Sequence, residues 1–127
     1  MAKRSQLVKK LDTVFSQWVR RSNADEDGLV TCYTCGIRKH YKTVDAGHFQ
    51  SRAKYSTRWN EQNVKPQCKG CNMTNGGQQF TFGLKLNEQY GLGTAEAIVY
   101  QSNQLTKYSN SDLEVMIEHY KELLKNL

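Results

Sequence analysis

The chain has 127 residues, 38% of them hydrophobic, and a formal net charge of +6, which suits one domain with a modest core. No apolar run approaches the roughly 20 residues needed to span a membrane, and the basic start Met1-Ala-Lys-Arg-Ser-Gln lacks the apolar stretch of a signal peptide. Membrane and secreted classes are therefore excluded as expectations, and a cytosolic setting follows, where paired cysteines favour metal over disulfide.

Residues 5–21 read as an amphipathic helix, with Leu7, Leu11, Val14, Phe15, Trp18 and Val19 at helical spacing. Its other face is basic: Lys3, Arg4, Lys9, Lys10, Arg20 and Arg21 stand against Asp12 alone. Ala24-Asp-Glu-Asp-Gly28 is a polar turn, and Leu29-Val30-Thr31 a short strand running into Cys32-Tyr-Thr-Cys35. Gly36 suits the tight backbone after that pair. Residues 38–49 are predicted to form a hairpin ending at His48, and 50–62 a polar, basic loop. Asn63-Val64-Lys65-Pro66-Gln67 leads into Cys68-Lys-Gly-Cys71-Asn72, and Pro66 argues against a central strand.

After Cys71 a short helix is predicted, broken at Gly76-Gly77. Gln78 to Tyr90 is helix or, at its start, strand, and Gly91 stops it. Thr94 to Gln104 reads as a helix with Thr94 as N-cap. Ser111-Asp-Leu-Glu114 fits a capping box opening the last helix, whose stripe is Leu113, Met116, Ile117, Tyr120, Leu123, Leu124 and Leu127. The expected organisation is one domain over 1–127: a basic N-terminal helix (1–23), a zinc-bound core (29–77) and a helical C-terminal part (78–127). Net positive charge concentrates in the first helix and between the cysteine pairs, the footprint expected for phosphate contact.

The two CxxC pairs use all four cysteines. Together they supply the soft ligands of one tetrahedral zinc, and four thiolates leave no open position. Any catalysis must use other residues. The 32 residues between the pairs leave room for an insert, and it carries Asp45-Ala-Gly-His48. Hydrolysis of a phosphodiester needs an activated water and neutralised phosphate charge. A histidine serves as base, and a magnesium-type ion takes hard oxygen ligands from Asp or Asn. Asp45, His48 and Asn72 are of these types, and the zinc pairs would draw them together. His40 reads as a surface or phosphate contact, and His119 as solvated or packed. Arg52, Lys54, Arg58, Lys65 and Lys69 are expected at phosphates near the cut, with Arg20 and Arg21 on the first helix; Arg52 alternatively sits on the scissile phosphate. Trp59 and Tyr55 either stack on exposed bases or belong to the core.

Asp45-Ala-Gly-His48-Phe, Ser51-Arg52, Thr57-Arg58-Trp59 and Asn63-Val-Lys-Pro-Gln67-Cys68-Lys-Gly-Cys71-Asn72 resemble the NinG/Rap family of phage recombination endonucleases. Phe15-Ser16-Gln17-Trp18-Val19-Arg20 resembles that family's N-terminal segment. The resemblance implies an α+β fold, with a zinc-stapled ββα-metal (HNH-like) core flanked by N- and C-terminal helices. It also implies cutting of branched DNA, such as Holliday junctions and D-loops, in a bacterial host cell. From the wider HNH superfamily it implies His48 as general base and Asn63 as the residue that pins the loop holding it. Asn72 would bind a catalytic magnesium or manganese ion, alongside structural zinc on Cys32, Cys35, Cys68 and Cys71.

One position departs from that pattern. The residue before the base is often an Asp ligand, and here it is Gly47. In an extended segment 45 and 47 share a face opposite 48. Asp45 is then expected either to reach the metal past the small Gly47 or to orient His48 or a backbone turn. A phage recombinase or annealing protein is an expected partner. A homodimer is also expected, through the apolar face of the first or last helix, since two sites would cut a symmetric junction. The rivals are a non-catalytic zinc module that binds DNA or a recombination partner, and a sequence-specific restriction or homing enzyme.

Overall fold

The apolar stripe of the first helix is covered by the last helix of the same chain. In the computed structural model, which describes residues 3–127, α1 spans Arg4–Ser22 and α5 spans Asn110–Lys125. The first two residues of the expected 1–23 segment lie outside the described residues. Leu7, Leu11, Phe15 and Val19 repeat every four positions on one face of α1 and are buried against Leu113, Ile117 and Tyr120 of α5. Phe15 meets the Tyr120 ring edge-on at 4.9 Å, and Trp18 lies 5.3 Å from the same ring. Each such side chain contributes about 1.5–3 kcal/mol by leaving water. The two faces expected to dimerise thus cover each other within one chain.

The start of α5 is a capping box two residues earlier than expected. Ser109 Oγ accepts from Asp112 N at 3.0 Å, and Asp112 Oδ2 accepts from Ser109 N at 2.8 Å. Ser111 and Glu114 instead lie inside the helix. Leu127 falls past the helix end and is exposed, so it leaves the predicted stripe.

Two antiparallel ribbons fill the middle of the chain. Strand β1 (Leu29–Thr31) pairs with β2 (Arg38–His40), and the first CxxC lies in the connection between them. The expected hairpin over 38–49 does not form. After β2 the chain makes a 3-10 turn at Tyr41–Thr43, and β3 (Asp45–His48) pairs with the distant β4 (Val64–Gln67). Residues 38–40 find a local partner across the knuckle, whereas β3 gains a partner strand whose Val64, Pro66 and Gln67 are buried. Pro66 is tolerated because each strand of a two-stranded ribbon has a free edge. Its carbonyl accepts from Tyr33 N at 2.9 Å, which ties the first knuckle to β4.

The segment between β3 and β4 is not all loop, since α2 spans Tyr55–Arg58. Beyond β4, a π-helical turn at Gly70–Thr74 carries Asn72. Helices α3 (Gln79–Tyr90) and α4 (Thr94–Ser102) then build a second core of Phe49, Phe82, Leu86 and Ile98. The start of α3 is helix rather than strand, because Phe82 and Leu86, four apart, share the buried face. Thr94 is the first helical residue and not the cap; its hydroxyl donates to Gly91 O at 2.8 Å, and Asn87 Oδ1 accepts from Ala95 N at 2.9 Å. The architecture is a small α+β fold with its terminal helices packed together and four clustered cysteines. Among the described residues, no helix is long and apolar enough to cross a membrane.

Phe15→Ala is expected to lower the unfolding free energy by about 3–5 kcal/mol, read from urea midpoints in the presence of zinc. Leu84→Ala, on an exposed face of α3, should change it by about 0.5 kcal/mol or less. Equal midpoints for the two variants would show that the α1–α5 interface does not hold the fold.

Candidate active site and metal centre

The cysteine pairs converge at the ends of β1 and β4. The Sγ atoms of Cys32, Cys35, Cys68 and Cys71 all lie within 4.8 Å of one another, and those of Cys35 and Cys68 are 3.7 Å apart. Zinc–sulfur bonds of about 2.3 Å in a tetrahedron require sulfur–sulfur separations of about 3.8 Å, so the donor set fits that ion in type and in spacing. Cys71 N points to Cys68 Sγ at 3.5 Å, an N–H···S contact that favours a thiolate. The thiols oppose one another's ionisation. Although burial resists it, backbone amides of Cys68 and Cys35 bring Cys32 down to about 6. Although the Thr34 hydroxyl favours its thiolate, burial and the neighbouring thiols push Cys71 up to about 12. A divalent cation at the centre would resolve that conflict.

The turn that follows Cys71 forms one wall of an open cleft of about 570 Å³. Asp45 and His48 of β3 line it together with Asn72 and Lys69. Asp12, Ser16 and Arg20, four apart on one face of α1, form the opposite wall, and Arg52 and Lys42 stand at its edges. Asn72 Nδ2 donates to Asp45 Oδ2 at 3.0 Å, and Lys69 Nζ donates to Asp45 Oδ1 at 2.8 Å. The knuckle therefore brings a carboxylate and a side-chain amide into contact through the amide nitrogen, in the cleft that His48 lines.

Asp45 does not reach this cleft past Gly47. A Cβ at Gly47 would lie 1.8 Å from Gln67 Oε1 and 2.9 Å from its Cγ. Gln67 is fully buried, and its amide nitrogen donates to Thr34 Oγ1 at 3.0 Å and Gly77 O at 2.9 Å. Glycine at 47 is a close-approach position, and no side chain fits there without displacing that network. Asp45 instead meets Asn72 and Lys69 from the start of β3.

His48 Nε2 donates to the carbonyl of Arg58 at 3.0 Å, so the lone pair of the neutral ring is on Nδ1. Burial is the main force holding its pKa below the ordinary value of 6.5, with the Arg52 charge acting the same way. The Arg58 and Ala46 carbonyls and the Asp12 charge oppose this in part. Burial thus favours the neutral imidazole. Asn63, fully buried, braces the segment that presents the Arg58 carbonyl. Its Nδ2 donates to Thr57 O at 3.0 Å and Gln50 O at 3.1 Å, while its Oδ1 accepts from Gln50 N at 2.7 Å. One amide joins the exit of β3 to α2.

The predicted cations do not all face this cleft. Arg58 is 13% exposed in its side chain and is held by Asp12, with Nε–Oδ1 at 3.1 Å and Nη2–Oδ2 at 2.5 Å. Trp59 donates from Nε1 to the same carboxylate at 2.9 Å and is 5% exposed, a core residue. Tyr55 remains partly exposed against the Arg58 guanidinium. Lys65 lies on another side, bonded to the Tyr90 hydroxyl and over the Tyr33 and Tyr90 rings. Lys54 donates to Asn103 Oδ1 at 3.2 Å, next to α4. Arg20 lines the cleft while donating to Tyr41 O at 3.1 Å, and Arg21 is exposed at the end of α1. His40 accepts from Lys42 N and caps the 3-10 turn; His119 is exposed and edge-on to Tyr120.

Sequence reasoning missed Asp12, Lys42 and Gln79. Asp12 was legible as the one acid of a basic helix, four residues before Ser16 and eight before Arg20. Gln79 Nε2 lies 3.4 Å from the His48 carbonyl and carried no signal, because its place depends on how α3 enters.

The family model for the bacteriophage lambda NinG protein matches residues 1–127. Protein ninG of Salmonella phage P22 is 23% identical over 125 residues, covering 98% of this chain and 59% of the relative. Protein ninG of Escherichia phage lambda is 24% identical over 125 residues, covering 98% of this chain and 58% of the relative. The chain therefore spans under three fifths of the length of these curated relatives. No solved structure matches.

Cys68→Ser is expected to retain less zinc than the parent and to lose cooperative unfolding, because metal binding to a closed site is folding free energy. Zinc content by atomic emission together with thermal melts tests this. A soluble, metal-free variant that unfolds cooperatively would contradict a structural role.

Proposed function

The chain belongs to the NinG family of bacteriophage proteins, and on that premise we propose that it is a metal-dependent, structure-selective DNA endonuclease. Its substrates are branched recombination intermediates such as Holliday junctions and D-loops, met in the cytoplasm of a bacterial host. The observation that carries this reading is the meeting of His48, Asp45 and Asn72 in one cleft edged by Arg20, Lys42, Arg52 and Lys69. Strands β3 and β4 followed by the turn bearing Asn72 are the order of a ββα-metal, HNH-like unit. The tautomer of His48 supports it further, since Nδ1 is left with a lone pair.

In this mechanism His48 Nδ1 takes a proton from water as the water oxygen forms its bond to phosphorus, and the bond from phosphorus to the 3′-oxygen breaks. The Arg58 carbonyl accepts from Nε2 throughout and steadies the imidazolium that results. Asn63 is a positioning residue, fixing the segment that supplies this carbonyl. Asp45 and Asn72 would hold a magnesium or manganese ion, which supplies charge for the phosphate and the departing oxygen. Their hard oxygen donors fit that ion once the Asn72 amide, which presents its nitrogen to Asp45, turns its oxygen toward the cleft. Lys69, largely exposed, neutralises Asp45 and is free to swing aside. Arg52 has no side-chain hydrogen-bond partner among the described residues and suits a phosphate near the cut. Zinc on the four cysteines is structural. Two copies of the chain would cut a symmetric junction, through surfaces other than the apolar faces of α1 and α5. A phage recombinase or annealing protein remains the proposed partner.

A non-catalytic zinc module that binds DNA or a recombination partner is the second reading. The specific observation in its favour is that Lys69 and Asn72 already engage both oxygens of Asp45. Nicking of a labelled four-way junction and its matched linear duplex, with magnesium, manganese or chelator, separates the two. The nuclease reading expects cation-dependent cuts at the branch, slowed by about 10²–10⁴-fold in His48→Ala. Asn72→Ala should retain junction binding and lose cutting. Tight binding with no cutting in any ion would select the binding module.

The pH profile follows from the lowered pKa of His48. Only the neutral ring accepts a proton, so the single-turnover rate should be level above 6.5 and fall on acidification, with its midpoint below 6.5. A midpoint above that value would remove His48 as the base.

A further inference from the structure

Phe80 is the most exposed aromatic ring of the described residues, at 81%. It sits in the first turn of α3, directly after Gln79. Gln79 lines the back of the cleft with His48, Arg52, Asn72, Gly76 and Gly77. The N-terminus of α3 therefore abuts the site. Cα–Cβ bonds in a helix tilt toward its N-terminus, so the exposed Phe80 is directed toward the end of α3 that carries Gln79.

The backbone is bent to make this entry. Gln78 has φ 52° and ψ 51°, the one left-handed residue other than glycine among those described. That conformation is disfavoured for a glutamine and persists where surrounding structure imposes it. Here it turns the chain so that Gln79 reaches the His48 carbonyl while Phe80 faces solvent.

We infer that Phe80 is a stacking platform for a nucleobase unstacked at the branch, and so determines structure selectivity at the proposed active site. This rests on the nuclease reading and deepens it. Charge complementarity selects nucleic acid as the occupant, because Arg52, Lys42, Arg20 and Lys69 edge the adjoining cleft. Phe80 shares its face of α3 with Leu84 one turn on, an apolar patch small enough to suit one flat base rather than a broad partner surface. Aromatic stacking takes any base but requires it to be unstacked from its neighbours. A continuous duplex offers no such base at the cleft, whereas a junction or strand exchange point does. Met73, 69% exposed on the turn that carries Asn72, adds an apolar surface at the same cleft.

The test compares zinc-loaded wild type, Phe80→Ala, Phe80→Trp and Leu84→Ala without added magnesium. Dissociation constants are measured for a four-way junction and for linear duplex of the same sequence, with 2-aminopurine placed at the branch. Phe80→Ala should reduce the preference for the junction by about tenfold and abolish the fluorescence quenching that stacking produces. Phe80→Trp should restore both. Leu84→Ala, 53% exposed one turn further on, should leave both unchanged. An unaltered preference in Phe80→Ala, or an equal loss on junction and duplex, overturns the stacking role and leaves the nuclease reading standing. Wild type that binds no DNA at all removes both.

Discussion

Four thiols within 4.8 Å of one another tie the end of β1 to the end of β4, and the cleft depends on that tie. Without it, the turn at Gly70–Thr74 has little to hold it, for Cys71 is its one buried residue. Asn72 sits next to that cysteine, so its meeting with Asp45 at 3.0 Å is a consequence of the cysteine cluster's geometry. The hydrogen bond from Tyr33 N to the Pro66 carbonyl joins the same two segments a second time. In a chain of this size a closed metal site supplements a small core.

A second set of constraints runs from α1 to the histidine. The packing of α1 on α5 orients its opposite face, where Asp12 receives both the Arg58 guanidinium and the Trp59 indole. Those contacts place α2, and the last residue of α2 lends its carbonyl to His48. Asn63 locks the same segment from the other side. A side chain counted from sequence as a DNA contact, Arg58, is thereby committed within the protein. Its charge is neutralised by Asp12, and the group that meets the imidazole is its backbone carbonyl.

The departure at Gly47 and the place of Asp45 have one cause. Gln67 occupies the volume above Gly47, so a carboxylate cannot stand there. The strand start supplies one instead, at a position that meets the turn after the knuckle. Periodicity cannot reveal this, because parity along β3 puts Asp45 and Gly47 on one face and says nothing about what covers each. The hairpin expected over 38–49 fails for a related reason. Pairing is decided by which strand offers a buried partner, and that strand was 16 residues away at Val64.

Local chemistry was legible in the sequence where it depends on spacing alone. The cysteine pairs, the helical stripes of α1 and α5, and the types of residue at 45, 48 and 72 could all be read there, because each is set by period or by ligand chemistry, whereas Asn63 was singled out by the family resemblance alone. The caps of α4 and α5 were misplaced by a residue or two, since several nearby polar side chains compete for the same amides. Only the tertiary structure decided which cations face the cleft, that Asp12 belongs to it, and that the last helix covers the first. Those outcomes turn on contacts between residues far apart in the chain, whose energies come from burial and charge pairing in three dimensions and leave no periodic trace along it.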